Sequence, residues 1–127
     1  MTKDFQLSEF ACKCGCGQAL ISAELVNGLQ ELRDLLAGPI VITSGYRCPA
    51  HNARVGGAKQ SQHTRGAAAD IRVPGTRVRD LYRRVQEIPA FRGVGVSDEG
   101  GFIHVDIRHT PARWCYKHGR QCRWFDL

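Results

Sequence analysis

Two short segments, AAADIRV at 67–73 and GFIHVDIR at 101–108, alternate small or apolar side chains with polar ones. A β-strand turns successive side chains to opposite faces, so the first segment sends Ala67, Ala69, Ile71 and Val73 one way and Ala68, Asp70 and Arg72 the other. The second sends Ile103, Val105 and Ile107 to the apolar face and leaves Phe102, His104 and Asp106 opposite. No other feature constrains the chain as much. It calls for a sheet with one face in a core and ionisable groups on the other, where Asp70 avoids the cost of an unpaired buried charge.

The apolar face needs helices to cover it, and two amphipathic segments supply them. From Ser22, apolar residues recur at Leu25, Val26, Leu29, Leu32, Leu35 and Leu36 with a period close to 3.6, and Gly38-Pro39 is a stop signal. A second helix is expected from Thr76 as N-cap to Ile88, with Val78, Leu81, Tyr82, Val85 and Ile88 on its apolar side and Pro89 ending it. IVIT at 40–43 reads as a short buried strand, and GVGVS joined through DEGG to GFIHVDIR reads as a hairpin. The sum is an α+β fold: a small, mainly antiparallel sheet with helices packed on one face and a polar site on the other. At 127 residues a single domain, 1–127, is expected.

Between Ser44 and Gly66 no period is sustained beyond a helical turn or two, started by Pro49 and ended by Gly56-Gly57. An irregular stretch of that length in a compact domain is usually functional or disordered, and the residues inside it decide which. It leads into SQHTRGAAAD, which brings His63 to the head of the strand that carries Asp70. His63, Asp70 and His104 then share one sheet face or its edge. Two imidazoles and a carboxylate make a common donor set for catalytic zinc, which keeps a fourth position for water and polarises a carbonyl. Amide hydrolysis is the natural reaction of such a site.

The formal charge of +6 favours anionic partners. Nucleic acid is not among those expected, because the chain has no helix-turn-helix, zinc-finger or aromatic-rich basic-strand pattern. No apolar run is long enough for membrane insertion. MTKDFQLSEF lacks the apolar core of a signal peptide, so synthesis in the cytoplasm is expected. A monomer is expected.

SGYRCPAHNARVGG at 44–57, SQHTRGAAADI at 61–71 and GFIHVDIR at 101–108, with FQLSEFACKCGCG near the start, resemble the zinc-dependent D-alanyl-D-alanine carboxypeptidase family, peptidase family M15, in particular its small phage and bacterial endolysin-like members. The resemblance runs from residue 5 to about residue 108. It implies the fold shared by D-Ala-D-Ala peptidases and hedgehog domains, one catalytic Zn²⁺ on His63, Asp70 and His104, and a peptidoglycan stem peptide as substrate. The bond cut would be the terminal D-Ala-D-Ala amide or an internal or cross-bridge amide. It also implies action on the cell wall or periplasm after release. The alternative is a noncatalytic zinc-binding module of the same fold that binds cell wall or another anionic partner. Gly101 speaks for it, since some family members carry an acid at that position, three residues before the last ligand histidine.

With Gly101 in place of the acid, Asp106 is the first choice for general base, against the plainer role of orienting an imidazole. Glu99 and Asp98 in the hairpin turn are the fallbacks. Arg47 matches the family arginine that holds the substrate carboxylate or the developing oxyanion, and Ser61 and Gln62 are expected to shape the loop and contact substrate. His51 and His109 are expected at the surface. Cys12, Cys14, Cys16 and Cys48 admit a second, structural zinc site, a disulfide of the Cys12-to-Cys48 type, or free thiols; the CxCxC spacing departs from the usual CxxC. Cys115 and Cys122 are suited to closing a short loop, and the tail RWCYKHGRQCRWF to holding the chain at a wall.

Overall fold

A computed structural model describes residues 1–116. Its elements follow in the order α1 (Ala23–Leu36), β1 (Val41–Ser44), α2 (Pro49–Arg54), β2 (Ala68–Arg72), α3 (Val78–Val85), β3 (Gly93–Ser97), β4 (Phe102–Asp106) and β5 (Ala112–Cys115), with single 3-10 turns at Leu7–Phe10 and Gln62–Arg65. The strands form one sheet in the order β1-β2-β4-β3-β5. Three neighbouring pairs are antiparallel and β3 with β5 is parallel. The fold is α+β with a mixed sheet.

Leu25, Val26, Leu29 and Leu32 of α1 and Leu81 and Val85 of α3 pack with Ala69, Ile71, Val94, Val96, Ile103 and Val105 of the sheet, and Phe5, Phe10 and Phe91 close the cluster. Burying each of the larger side chains contributes about 1.5–3 kcal/mol. Gly28 lets Phe91 approach α1, since a Cβ there would lie 2.9 Å from its ring. Strand alternation is as expected in β2 and β4.

Three details differ from expectation. The second helix starts at Val78, with Arg77 rather than Thr76 at the N-cap, and its regular turns end at Val85. Ser22 holds the α1 N-cap position without a side-chain capping bond; its N–H is engaged at 2.8 Å with the Gly66 carbonyl. Part of the basic tail is a strand: Ala112–Cys115 pairs along β3, and the Tyr116 N–H continues the ladder to the Val96 carbonyl at 2.7 Å. Cys115 is disulfide-bonded, while its expected partner Cys122, His118 and the rest of the tail lie outside the described residues.

The register across the polar face positions the site. Asp70 stands opposite His104, His104 opposite Gly95, and Gly95 opposite Trp114, one row across four strands. One step along, Ala68, Asp106, Gly93 and Ala112 form a second row. Side chains added at Gly93 or Gly95 would collide with Asp106 and Trp114 respectively. The GVGV pattern of β3 therefore feeds valines to the core and leaves bare backbone beneath the polar row.

Candidate metal centre and its cleft

His63 enters from the 3-10 turn that Ser61 caps, its hydroxyl accepting the His63 N–H at 3.1 Å. Gly66, at φ 68, then turns the chain into β2. His63 Nε2 lies 3.2 Å from Asp70 Oδ1, and His104 Nδ1 lies 3.1 Å from the same oxygen. All three side chains are buried. One donor atom from each lies within 4.8 Å of the other two.

The far nitrogen of each ring is already committed. His63 Nδ1 sits 2.8 Å from the Gly45 carbonyl, which can only accept, so that nitrogen carries the proton and Nε2 turns a lone pair to Asp70. His104 Nε2 lies 2.7 Å from Asp106 Oδ2, which assigns its proton in the same way and leaves Nδ1 as the inward lone pair. In the neutral rings two lone pairs and a carboxylate oxygen converge, a set that repels itself unless a cation or a proton sits among them. That donor set fits a divalent cation, zinc above all.

The charges around the set are strongly coupled. Burial raises the Asp70 carboxyl pKa, but hydrogen bonds and positive charge from His104 and His63 outweigh it and hold the group below the ordinary carboxylate range. Burial likewise disfavours charge on His104, yet bonds to Asp106 and Asp70 raise its pKa overall. Asp106, fully buried, is raised by desolvation and then lowered further by Arg108 and His104, so it stays ionised. Arg108 grips it at Oδ1 and Oδ2, 2.8 and 2.7 Å away, while lying 4.7 Å from the centroid of the Trp114 ring.

Arg47 reaches the other oxygen of Asp70, Nη2 to Oδ2 at 3.3 Å, and also donates to Ser44 Oγ at 3.2 Å and Asn52 Oδ1 at 3.4 Å. Asn52 is itself buried and anchored on the Ala58 carbonyl at 2.7 Å. Two of the five guanidinium N–H donors remain for a ligand.

These groups line one cleft of about 600 Å³, whose walls include Arg47, Gln62, His63, Asp70, His104 and Arg108, with Phe102, Trp114 and Tyr116 as an aromatic side. The Trp114 ring lies 5.2 Å from that of His104, and Tyr116 lies 5.9 Å from Phe102. Ser61 and Gln62 line the cleft as expected. Asp98 and Glu99 are exposed in the hairpin turn and are not among its walls, and Asp106 faces the back of the His104 ring. His109 is exposed, His51 half-buried, and neither joins the site. Cys12, Cys14, Cys16 and Cys48 are free thiols brought together apart from the cleft.

Asn52, Arg108, Trp114 and Tyr116 were not singled out by sequence reasoning. Asn52 lies inside SGYRCPAHNARVGG, and the Ala112, Trp114, Tyr116 alternation was a readable strand signal for the aromatic wall.

The chain is also similar to known proteins. The peptidoglycan L,D-endopeptidase MepK of Escherichia coli is 32% identical over 100 residues, covering 73% of this chain and 53% of that protein. The Shigella flexneri protein of the same name matches with the same figures, 32% identity, 73% of this chain and 53% of the relative. The chain therefore spans about half the length of the curated relatives it matches. A family model described as Peptidase M15 matches residues 3–106, a span that holds the SGYR loop, the whole of β2 and both histidines of the candidate metal centre, and the chain belongs to the peptidase M15 family.

Proposed function

We propose that the protein is a zinc metallopeptidase that hydrolyses amide bonds of peptidoglycan stem peptides. The observation that carries the reading is the convergence of His63 Nε2 and His104 Nδ1 on Asp70 Oδ1, at 3.2 and 3.1 Å, inside an open cleft. When bound there, zinc supplies Lewis acidity and lowers the pKa of a water toward neutrality. The remaining tasks fall to the chain. Arg47, held by Ser44, Asn52 and Asp70, offers its free donors to a peptide carboxylate or to the oxyanion that develops on the attacked carbonyl. Phe102, Trp114 and Tyr116 offer apolar surface to the peptide and exclude water.

In this reading Asp106 orients His104 and raises the basicity of its inward nitrogen, and Arg108 keeps Asp106 charged. The carboxypeptidase and endopeptidase forms differ in what Arg47 meets: a terminal carboxylate in the first, a mid-chain carbonyl in the second. The name of the relatives favours the endopeptidase form. The site of action in this proposal is the wall, reached after release, and the net charge of +6 suits an anionic polymer.

One observation favours the second reading, a noncatalytic zinc module: among the described residues lining the cleft, Asp70 is the only carboxylate. A single assay separates the two. Purified protein, saturated with zinc, is incubated with stem peptides and cross-linked muropeptides, with and without chelator, and products are followed by mass spectrometry. Shortened peptides that vanish with chelator and return with zinc are expected. Released D-alanine identifies a carboxypeptidase, split cross-links an endopeptidase, and no product from zinc-loaded protein overturns the enzyme reading.

A further inference from the structure

Cys12, Cys14, Cys16 and Cys48 stand outside the cleft, and nothing in the peptidase reading uses them. Their sulfurs lie 3.4 Å apart for Cys12 and Cys14, 3.7 Å for Cys12 and Cys48, and 3.7 Å for Cys14 and Cys48. All four lie within 4.8 Å of one another. A disulfide requires about 2.05 Å between sulfurs. Four thiolates placed tetrahedrally at about 2.3 Å from zinc stand roughly 3.8 Å from each other. These three separations match the second geometry and not the first.

The backbone explains how so short a spacing converges. In an extended strand, side chains two residues apart on one face are separated by about 6.6 Å, so CxCxC would spread its thiols along a line. Here Gly15 at φ 88 and Gly17 at φ 78 take left-handed turns, with no heavy atom near where a Cβ would be. The Cys12 N–H then closes the loop on the Gln18 carbonyl at 2.8 Å. Curling of this kind brings three successive thiols to one point. The fourth comes from a distant loop, and its own N–H donates to Cys12 Sγ at 3.4 Å, a bond that favours a thiolate acceptor.

We propose that these four cysteines form a tetrathiolate zinc site, separate from the His63, Asp70 and His104 centre, that staples the N-terminal segment to the loop carrying Arg47. Closed four-sulfur coordination leaves no position for water, so its role is structural. The two partners already touch around it: the Tyr46 N–H donates to the Phe10 carbonyl at 2.8 Å, and a Cβ on Gly45 would lie 2.6 Å from Phe10 Cα. Cys48 is the residue after Arg47, so the staple fixes the base of the arginine that faces the cleft.

Cobalt(II) added to the reduced, metal-free full chain reads the site directly, because thiolate-to-cobalt charge transfer absorbs in the near ultraviolet and nitrogen and oxygen donors do not reproduce it. The wild type is expected to show the band and to hold two zinc ions per chain. His63→Ala should lose one zinc and keep the band unchanged. Cys16→Ser, at the exposed corner of the site, and Cys48→Ser should each lower zinc affinity there at least tenfold and shrink the band. Should Cys48→Ser fail to fold, the wild-type spectrum and Cys16→Ser still decide. A wild type without the band, or a band that survives in Cys16→Ser and disappears in His63→Ala, overturns the proposal, whatever the peptidase assay shows.

Discussion

His104 and Asp106 lie two residues apart on the same face of β4, and the imidazole Nε2 is 2.7 Å from the carboxylate Oδ2. The pair turns a strand's period of two into a candidate ligand with its support built in. Asp106→Asn keeps the size of the side chain and removes its charge, so zinc affinity at the cleft should fall about 10–100-fold. Competition with a chelating dye measures it. At saturating zinc, hydrolysis should return to near the wild-type rate; a kcat that stays collapsed on fully loaded protein would make Asp106 the proton acceptor instead.

Arg47→Lys tests the guanidinium rather than the charge. A lysine cannot reach Ser44, Asn52 and Asp70 together while presenting parallel donors. KM for stem peptide should rise roughly tenfold, equivalent to about 1.4 kcal/mol, with zinc content unchanged. Steady-state kinetics beside metal analysis checks both halves of the statement.

Gly95 lies beneath Trp114, and any side chain there collides with the indole. Gly95→Ala should destabilise the protein by about 1–3 kcal/mol, as overpacking does. The double change Gly95→Ala with Trp114→Ala should recover most of that loss in urea unfolding, because the clash needs both partners. Additive losses would mean that β3 is strained for another reason.

Tyr116 carries the pH prediction. Burial, the largest influence, raises its phenol above the usual value near 10. An unfolded chain then ionises first, so stability should decline as pH climbs past about 10 and through the higher folded value. Absorbance at the phenolate band should show a late-titrating component that Tyr116→Phe removes.

The sheet and its chemistry were legible where local patterns carry them. The 3.6-residue period located α1, and alternation put Asp70, His104 and Asp106 on one face. Which way Asp106 points was not legible, because sharing a face leaves open whether a carboxylate meets the cleft or the back of a ring; that depends on side-chain rotamers and on Arg108. The strand β5 left a readable alternation, but four residues with basic flanks do not say that it pairs in parallel with β3. The grouping of Cys12, Cys14, Cys16 and Cys48 was legible as one of three alternatives, but the choice among them was not, since an extended reading of CxCxC separates thiols that the glycine turns bring together.

The aromatic wall has one consequence for how proteins of this kind diverge. Residues 3–106 carry the family match, and Arg108, Trp114 and Tyr116 all lie past it. The candidate metal ligands and the aromatic wall proposed to meet the peptide are thus written on consecutive stretches of the sequence. On the proposed function, a different edge strand spliced after Arg108 would change what the cleft accepts and keep the Arg108, Asp106 and His104 chain of contacts, which makes that junction the place to begin when re-tailoring the cleft to another peptide.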